Sequence, residues 1–175
     1  RGHYAKQLEL LHDLIAIPLQ RTFGFGIPSN AVLSKIMEHA PRIVEMGAGT
    51  GYWSYCLSRM GADIVAYDPY PTGRLASDNQ KEEESNEFLS SQSYFHVHVG
   101  DASTVFDGSN SDSLNRALLI VWPNNPDSED NKQFAKEGAV LPTIWDWFCL
   151  QKYHESGGDT VIYVGEREAT IQLMP

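Results

Sequence analysis

The chain has 175 residues, of which 42% are hydrophobic, and a net charge of −10 from 13 Lys and Arg against 23 Asp and Glu. That length suits one domain with a sizeable core, and the apolar content excludes global disorder. Basic residues so few and so scattered disfavour extended nucleic acid as a partner, because a phosphate backbone is gripped by a basic stripe.

No apolar run approaches the roughly 20 residues of a membrane span, and no signal-peptide pattern opens the chain. A cytoplasmic protein with no membrane partner is therefore expected. Cys56 and Cys149 lack metal-ligand spacing and read as buried thiols in a reducing compartment.

From the N-terminus, Tyr4, Leu8, Leu11 and Ile15 recur at three- and four-residue intervals, which predicts an amphipathic helix over His3 to Ile17 that Pro18 ends. Ser29 caps a second predicted helix running to about His39, which Pro41 stops. Arg42-Ile43-Val44 has the apolar, β-branched character of a buried strand. Tyr52 to Met60 predicts a helix closed by Gly61. Ile64 to Tyr67 is the second predicted strand, and Tyr94 to Val99 the third. The polar stretch between them predicts a loop with a short helix around Glu82–Leu89, its acidic run a solvated face. Asp107 to Ser113 predicts a flexible connection.

Ala117 to Trp122 is a continuous apolar run, suited to a strand buried on both faces of a parallel sheet. Thr143 opens a capping-box-like start for a helix to about Glu155, and Gly157-Gly158 precedes a fifth strand over Thr160 to Val164. The alternation predicts an α/β fold, a Rossmann-like, mostly parallel sheet with helices on both faces. It forms a single domain over 1–175: helices to residue 40, a ligand-binding core over 41–166 and a short tail over 167–175.

The chemistry concentrates in Glu45-Met46-Gly47-Ala48-Gly49-Thr50-Gly51-Tyr52-Trp53, a glycine turn between the first strand and its helix. Such a turn brings backbone N–H groups and a positive helix end towards a ligand. A dinucleotide fingerprint needs Gly-x-Gly-x-x-Gly. Tyr52 or Ser54 stands where its last glycine belongs, and no Gly-Lys-Ser/Thr follows to make a phosphate loop. A tight strand-to-helix turn without a ligand is the plain alternative. Asp68, at the end of the second strand, stands where a carboxylate accepts ribose hydroxyls, a role compatible with capping the turn opened by Pro69. Asp101 and Ala102 follow the third strand, and Trp122 with Pro123-Asn124-Asn125-Pro126 follows the fourth. His96 and His98 share a strand face without a carboxylate partner, so no metal is expected. Trp145, Trp147 and Phe148 read as helix packing.

A carboxylate followed by glycines at alternate positions resembles motif I of class I S-adenosylmethionine-dependent methyltransferases. Phe23-Gly24-Phe25-Gly26-Ile27-Pro28, Gly51-Tyr52-Trp53, Ile120-Val121-Trp122-Pro123 and Val161-Ile162-Tyr163-Val164-Gly165-Glu166 narrow the likeness to a little-characterised methyltransferase-like group. The resemblance implies S-adenosylmethionine as cofactor and a small-molecule or protein methyl acceptor as partner. It implies that Gly47, Gly49 and Gly51 let the backbone approach the methionine and ribose, and that Glu45 fixes the turn and the amino group. Asp68 takes the ribose, and Asp101 with Ala102 the adenine. Trp122, Asn124, Asn125 and Glu166 are the acceptor-side candidates, with Tyr4 and Phe25 as lids. No residue is assigned as general base.

Two departures accompany the likeness. Relatives carry a tryptophan with consecutive prolines after the fourth strand, where Asn124 and Asn125 intervene here. Class I enzymes also add a helix and an antiparallel strand pair after the fifth strand, and only Arg167 to Pro175 follow here, so those strands are expected to be truncated. Two further readings stay open: an inactive methyltransferase-like binding or scaffold domain, and an NAD(P)-dependent oxidoreductase, which the glycine spacing weakens.

Overall fold

A computed structural model of the chain describes residues 2–72, 92–108, 111–123 and 145–165. Five strands form one sheet: β1 (Arg42–Met46), β2 (Asp63–Asp68), β3 (Val97–Val99), β4 (Ala117–Val121) and β5 (Val161–Val164). Their order is β3-β2-β1-β4-β5, and every pairing is parallel. The helices are α1 (Gly2–Leu11), α2 (Ile17–Phe23), α3 (Asn30–His39), α4 (Tyr52–Arg59), α5 (Ala102–Val105), α6 (Ser111–Leu114) and α7 (Trp145–Glu155). The expected α/β arrangement with Rossmann-like strand order is present.

Alternate residues of the central strands feed two cores. Val44, Met46, Leu118 and Ile120 face Ala102, Val105, Cys149 and Tyr153 of α5 and α7. Ile43, Ile64 and Leu119 face Leu33 and Ile36 of α3 and Trp53 and Leu57 of α4. Both faces of β1 and β4 are thus covered, as their unbroken apolar runs require. The chain changes direction along the sheet between β1 and β4, which opens a crevice above their carboxyl ends.

Several boundaries follow their local signals. Ser29 Oγ accepts the Val32 N–H at 3.3 Å to cap α3. Gly61 (φ 96°) and Gly157 (φ 96°) end α4 and α7 in the left-handed conformation. In each case the next residue's N–H returns to the helix, from Ala62 to the Leu57 carbonyl and from Gly158 to the Tyr153 carbonyl.

Three expectations need correction. Pro18 does not end the first helix: α1 passes through a π-helical turn (His12–Ala16) into α2, and Gly24 (φ 113°) ends the path. Pro18 sits in the first turn of α2, where a missing N–H is tolerated. The path runs on rather than turning there, and Tyr4, Leu8, Leu11 and Ile15 stand exposed. The third strand is shorter than its alternation suggests, because the Tyr94 N–H bonds the Thr50 carbonyl and the Tyr94 ring joins Phe23 and Tyr52. Part of the connection after Asp107 is helical, as α6. The helix expected at Glu82–Leu89, the capping start at Thr143 and the truncated C-terminal strands lie outside the described residues.

An ion network closes the amino end of the sheet. The buried Arg116 guanidinium bonds the Asp63 carbonyl at 2.7 Å, the Asp63 carboxylate at 2.8 Å and Asp112 at 2.8 Å. Arg42 bridges the same two carboxylates from β1. Among the described residues no helix is long and apolar enough to cross a membrane.

Candidate functional site

The crevice above β1, β2 and β4 holds a cavity of about 500 Å³, within the usual range for small-molecule sites. The glycine turn forms its floor. Gly47 (φ 71°), Gly49 (φ 54°) and Gly51 (φ 71°) all adopt the left-handed conformation that L side chains resist. A Cβ on Gly51 would lie 2.9 Å from the Phe95 Cβ, and one on Gly47 would lie 2.7 Å from the Trp145 ring. Backbone conformation and close approach both demand glycine at these two positions.

The turn spends three of its amides within the protein. The Ala48 N–H bonds the Tyr67 carbonyl at 3.1 Å, and the Gly51 N–H bonds the Ala48 carbonyl at 2.8 Å. The Gly49 N–H bonds the Asp68 carboxylate at 2.8 Å. These three donors therefore do not converge on a ligand, as the amides of a phosphate-binding nest do. The expected array of N–H groups facing a ligand is corrected in that respect. Local hydrogen bonding to the neighbouring strand consumes them.

Carboxylates take the place of a phosphate cradle. Asp68, buried at the end of β2, accepts Gly49 with one oxygen and the Tyr70 N–H at 2.7 Å with the other. Each oxygen keeps a second lone pair for a ligand hydroxyl. Burial pushes the Asp68 carboxyl above its ordinary range, and the two amides pull it partly back. Asp101 caps α5, its Oδ1 accepting the Thr104 N–H at 2.9 Å. No hydrogen bond to its Oδ2 is made among the described residues, and Asp101 lines the cavity together with Ala102.

Glu45 is buried at the end of β1, where Ser54 Oγ of α4 donates to its Oε2. Burial raises its carboxyl to about 7, the Ser54 bond opposes the shift, and Asp68 adds to it. The residue read as fixing the turn ties strand to helix through this bond.

A roof comes from the segment after α2. Thr50 Oγ1 bonds the Phe23 carbonyl at 2.9 Å, and the Trp53 indole N–H bonds the Gly26 carbonyl at 2.7 Å. These bonds hold Phe23 and Phe25 over the glycine turn. Phe25 stacks on Trp122, their rings 6.5 Å apart and 20° from parallel. Trp122 has left the strand and holds φ 57°, the non-glycine residue in that conformation among those described. Its N–H bonds the Val164 carbonyl at 2.7 Å. Bulky residues rarely adopt this conformation, and where they do the surroundings impose it.

Glu45, Gly47, Gly49, Asp68, Asp101, Ala102 and Trp122 all line the cavity, with Gly51 completing the turn below it. Phe25 lines it as well, whereas Tyr4 projects from α1 at 75% exposure and takes no part. Asn124, Asn125 and Glu166 lie outside the described residues. Trp145 and Phe148, expected as helix packing, do pack on the core and also line the cavity, while Trp147 is exposed. The packing of α7 over the strand ends places them there, which no local sequence signal marks. Cys149 lines the same wall, but burial pushes its thiol up to about 12, with Asp146 and Asp101 adding to the shift, so it stays neutral and unreactive. His96 and His98 meet edge to face at 4.4 Å. Among the described residues no group of three or more His, Cys, Asp or Glu is arranged to hold a metal ion.

Comparisons with protein-family models, curated proteins and solved structures gave no match. The geometry itself supports a narrower chemistry. Among the described residues the charged side chains lining the cavity are Glu45, Asp68 and Asp101, all acidic. Such a site accepts hydroxyl and amino donors, and it favours positive charge over phosphate.

Proposed function

We propose that this chain is an S-adenosylmethionine-dependent methyltransferase acting on a small molecule or on a protein side chain. The observation that carries the reading is the acidic cavity over a glycine turn whose Ala48, Gly49 and Gly51 amides are already bonded. A dinucleotide brings two phosphates and needs free amides or basic groups to meet them. Beside its α-carboxylate, S-adenosylmethionine brings a sulfonium, an amino group, ribose hydroxyls and an adenine amino group, each of which suits a carboxylate. The fit therefore favours the methyltransferase over an NAD(P)-dependent oxidoreductase.

When bound, S-adenosylmethionine supplies a methyl carbon to which an acceptor's lone pair forms a bond as the carbon–sulfur bond breaks, its electron pair remaining on sulfur. The chain's contribution is position and exclusion of water. Asp68 orients ribose hydroxyls through its remaining lone pairs, and Asp101 Oδ2 takes the adenine amino group. Glu45, ionising near neutrality, sets the negative potential under the cationic part of the ligand. Phe25 and Trp122 keep water from the open end. Alignment of two reactants is worth roughly 7–11 kcal/mol, so transfer needs no strong base from the protein.

Calorimetric titration with S-adenosylhomocysteine and with NAD tests the reading. The expected result is one-to-one binding of S-adenosylhomocysteine and no heat with NAD. Binding of NAD alone overturns it.

A further inference from the structure

We infer that the Phe25–Trp122 end of the cavity is a recognition site for flat organic cations, and that the methyl acceptor is an amine-bearing aromatic molecule. This deepens the methyltransferase reading and rests on it only for the name of the reaction. The recognition chemistry comes from the walls.

Phe25 and Trp122 are each near 40% exposed, at 43% and 40%, while lining the cavity, which puts them at its rim. Their planes lie 20° from parallel, so together they offer aromatic surface of one orientation. Trp145 and Phe148 extend that apolar surface inwards from α7. A flat guest covers such walls with the least loss of its own freedom.

Charge selects among flat guests. The aromatic faces attract a cation through their quadrupoles, most strongly at tryptophan. Glu45, Asp68 and Asp101 place negative potential behind them, and the walls between are apolar, so the field is poorly screened. A guest of net negative charge meets repulsion from the same groups. The left-handed conformation of Trp122 is a second, independent mark of the site. The chain could leave the strand there without strain if residue 122 were glycine or asparagine. The strained tryptophan instead keeps a large ring at the rim, pinned through its N–H to Val164.

Three indoles that share one ring and differ in the charge of the 3-substituent test the assignment: tryptamine, 3-methylindole and indole-3-acetate. Each is titrated calorimetrically into the whole protein, with and without saturating S-adenosylhomocysteine. Tryptamine is expected to bind about tenfold or more tighter than indole-3-acetate, with 3-methylindole between them and the spread narrowing at high salt. Phe25→Leu and Trp122→Asn should each weaken tryptamine about fivefold or more. Asn tolerates the conformation at 122, so that variant removes the ring without adding strain. Equal binding of tryptamine and indole-3-acetate overturns the inference, as does undiminished tryptamine binding in both folded variants. So does the absence of binding by all three. Loss of S-adenosylhomocysteine binding with the charge preference intact defeats the methyltransferase reading alone.

Discussion

Asp68 Oδ2 accepts the Gly49 N–H at 2.8 Å, so the carboxylate that ends β2 also holds the glycine turn that follows β1. The same side chain receives Tyr70 through Oδ1. One residue therefore links the geometry of the turn to the side of the cavity assigned to ribose.

Replacing it separates the two roles. Asp68→Ala strands two amides, each costing about 1–3 kcal/mol where buried, and should lower the urea midpoint. Affinity for S-adenosylhomocysteine should fall by a further 1.5–3 kcal/mol or so, the worth of a hydrogen bond to a charged group. Asp68→Asn keeps one oxygen acceptor and should lose less of both. Unchanged affinity in the folded alanine variant would remove Asp68 from the ribose role.

Glu45 makes stability depend on pH. Its carboxyl titrates near 4.5 when unfolded and at about 7 in the buried native site. Between those values the native state binds more protons than the unfolded one, so stability is full below 4.5 and falls as pH rises through 7. The loss is about 3 kcal/mol when ionisation is complete. Asp68, shifted in the same direction by burial, adds to the same trend. Glu45→Gln cannot ionise and should unfold at a higher midpoint than the natural chain at pH 8, with the gap closing towards pH 4.5. Parallel midpoints across that range would contradict the assignment.

Gly51 tests the turn itself. At φ 71° an alanine strains the backbone by about 1–2 kcal/mol. Its Cβ would also approach the Phe95 Cβ at 2.9 Å and Val97 Cγ2 at 3.0 Å. Both neighbours belong to the segment carrying β3, so Gly51→Ala should lower both thermal stability and ligand affinity. A variant with native midpoint would show that the turn relaxes freely.

Arg116 tests the far edge of the sheet. Its side chain is only 6% exposed, while Asp63 and Asp112 are about half exposed. The Arg116 guanidinium, with Arg42, holds the Asp63 carboxyl below its ordinary range. Arg116→Met should cost about 1–3 kcal/mol, chiefly from the unpaired Asp63 carbonyl and the lost charge-assisted bonds. Ligand affinity should not change, because the network lies at the opposite end of the strands from the cavity. A shift in affinity as large as the loss of stability would show coupling through β2.

Much of this molecule was legible from its chain. The apolar runs at β1 and β4 specify strands covered on both faces, because only a buried parallel strand tolerates them on every side. Ser29, Gly61 and Gly157 specify helix ends through local hydrogen bonding and left-handed backbone alone. The glycines at 47, 49 and 51 mark a turn that only glycine can make.

Other features required the folded chain. Whether the turn's amides were free was decided by Tyr67 and Asp68, which reach it only after β2 pairs with β1. Pro18 failed to end its helix because the preceding π-helical turn placed it in the first turn of α2, where its missing N–H is harmless. Trp145 and Phe148 lie about a hundred residues from the glycine turn along the sequence, and packing of α7 brings them onto the cavity. Local signals are carried by residues a few positions apart, and the chain itself determined those. The cavity's aromatic walls and its charge come from contacts across the sheet, which depend on strand order, and only the tertiary structure decided them.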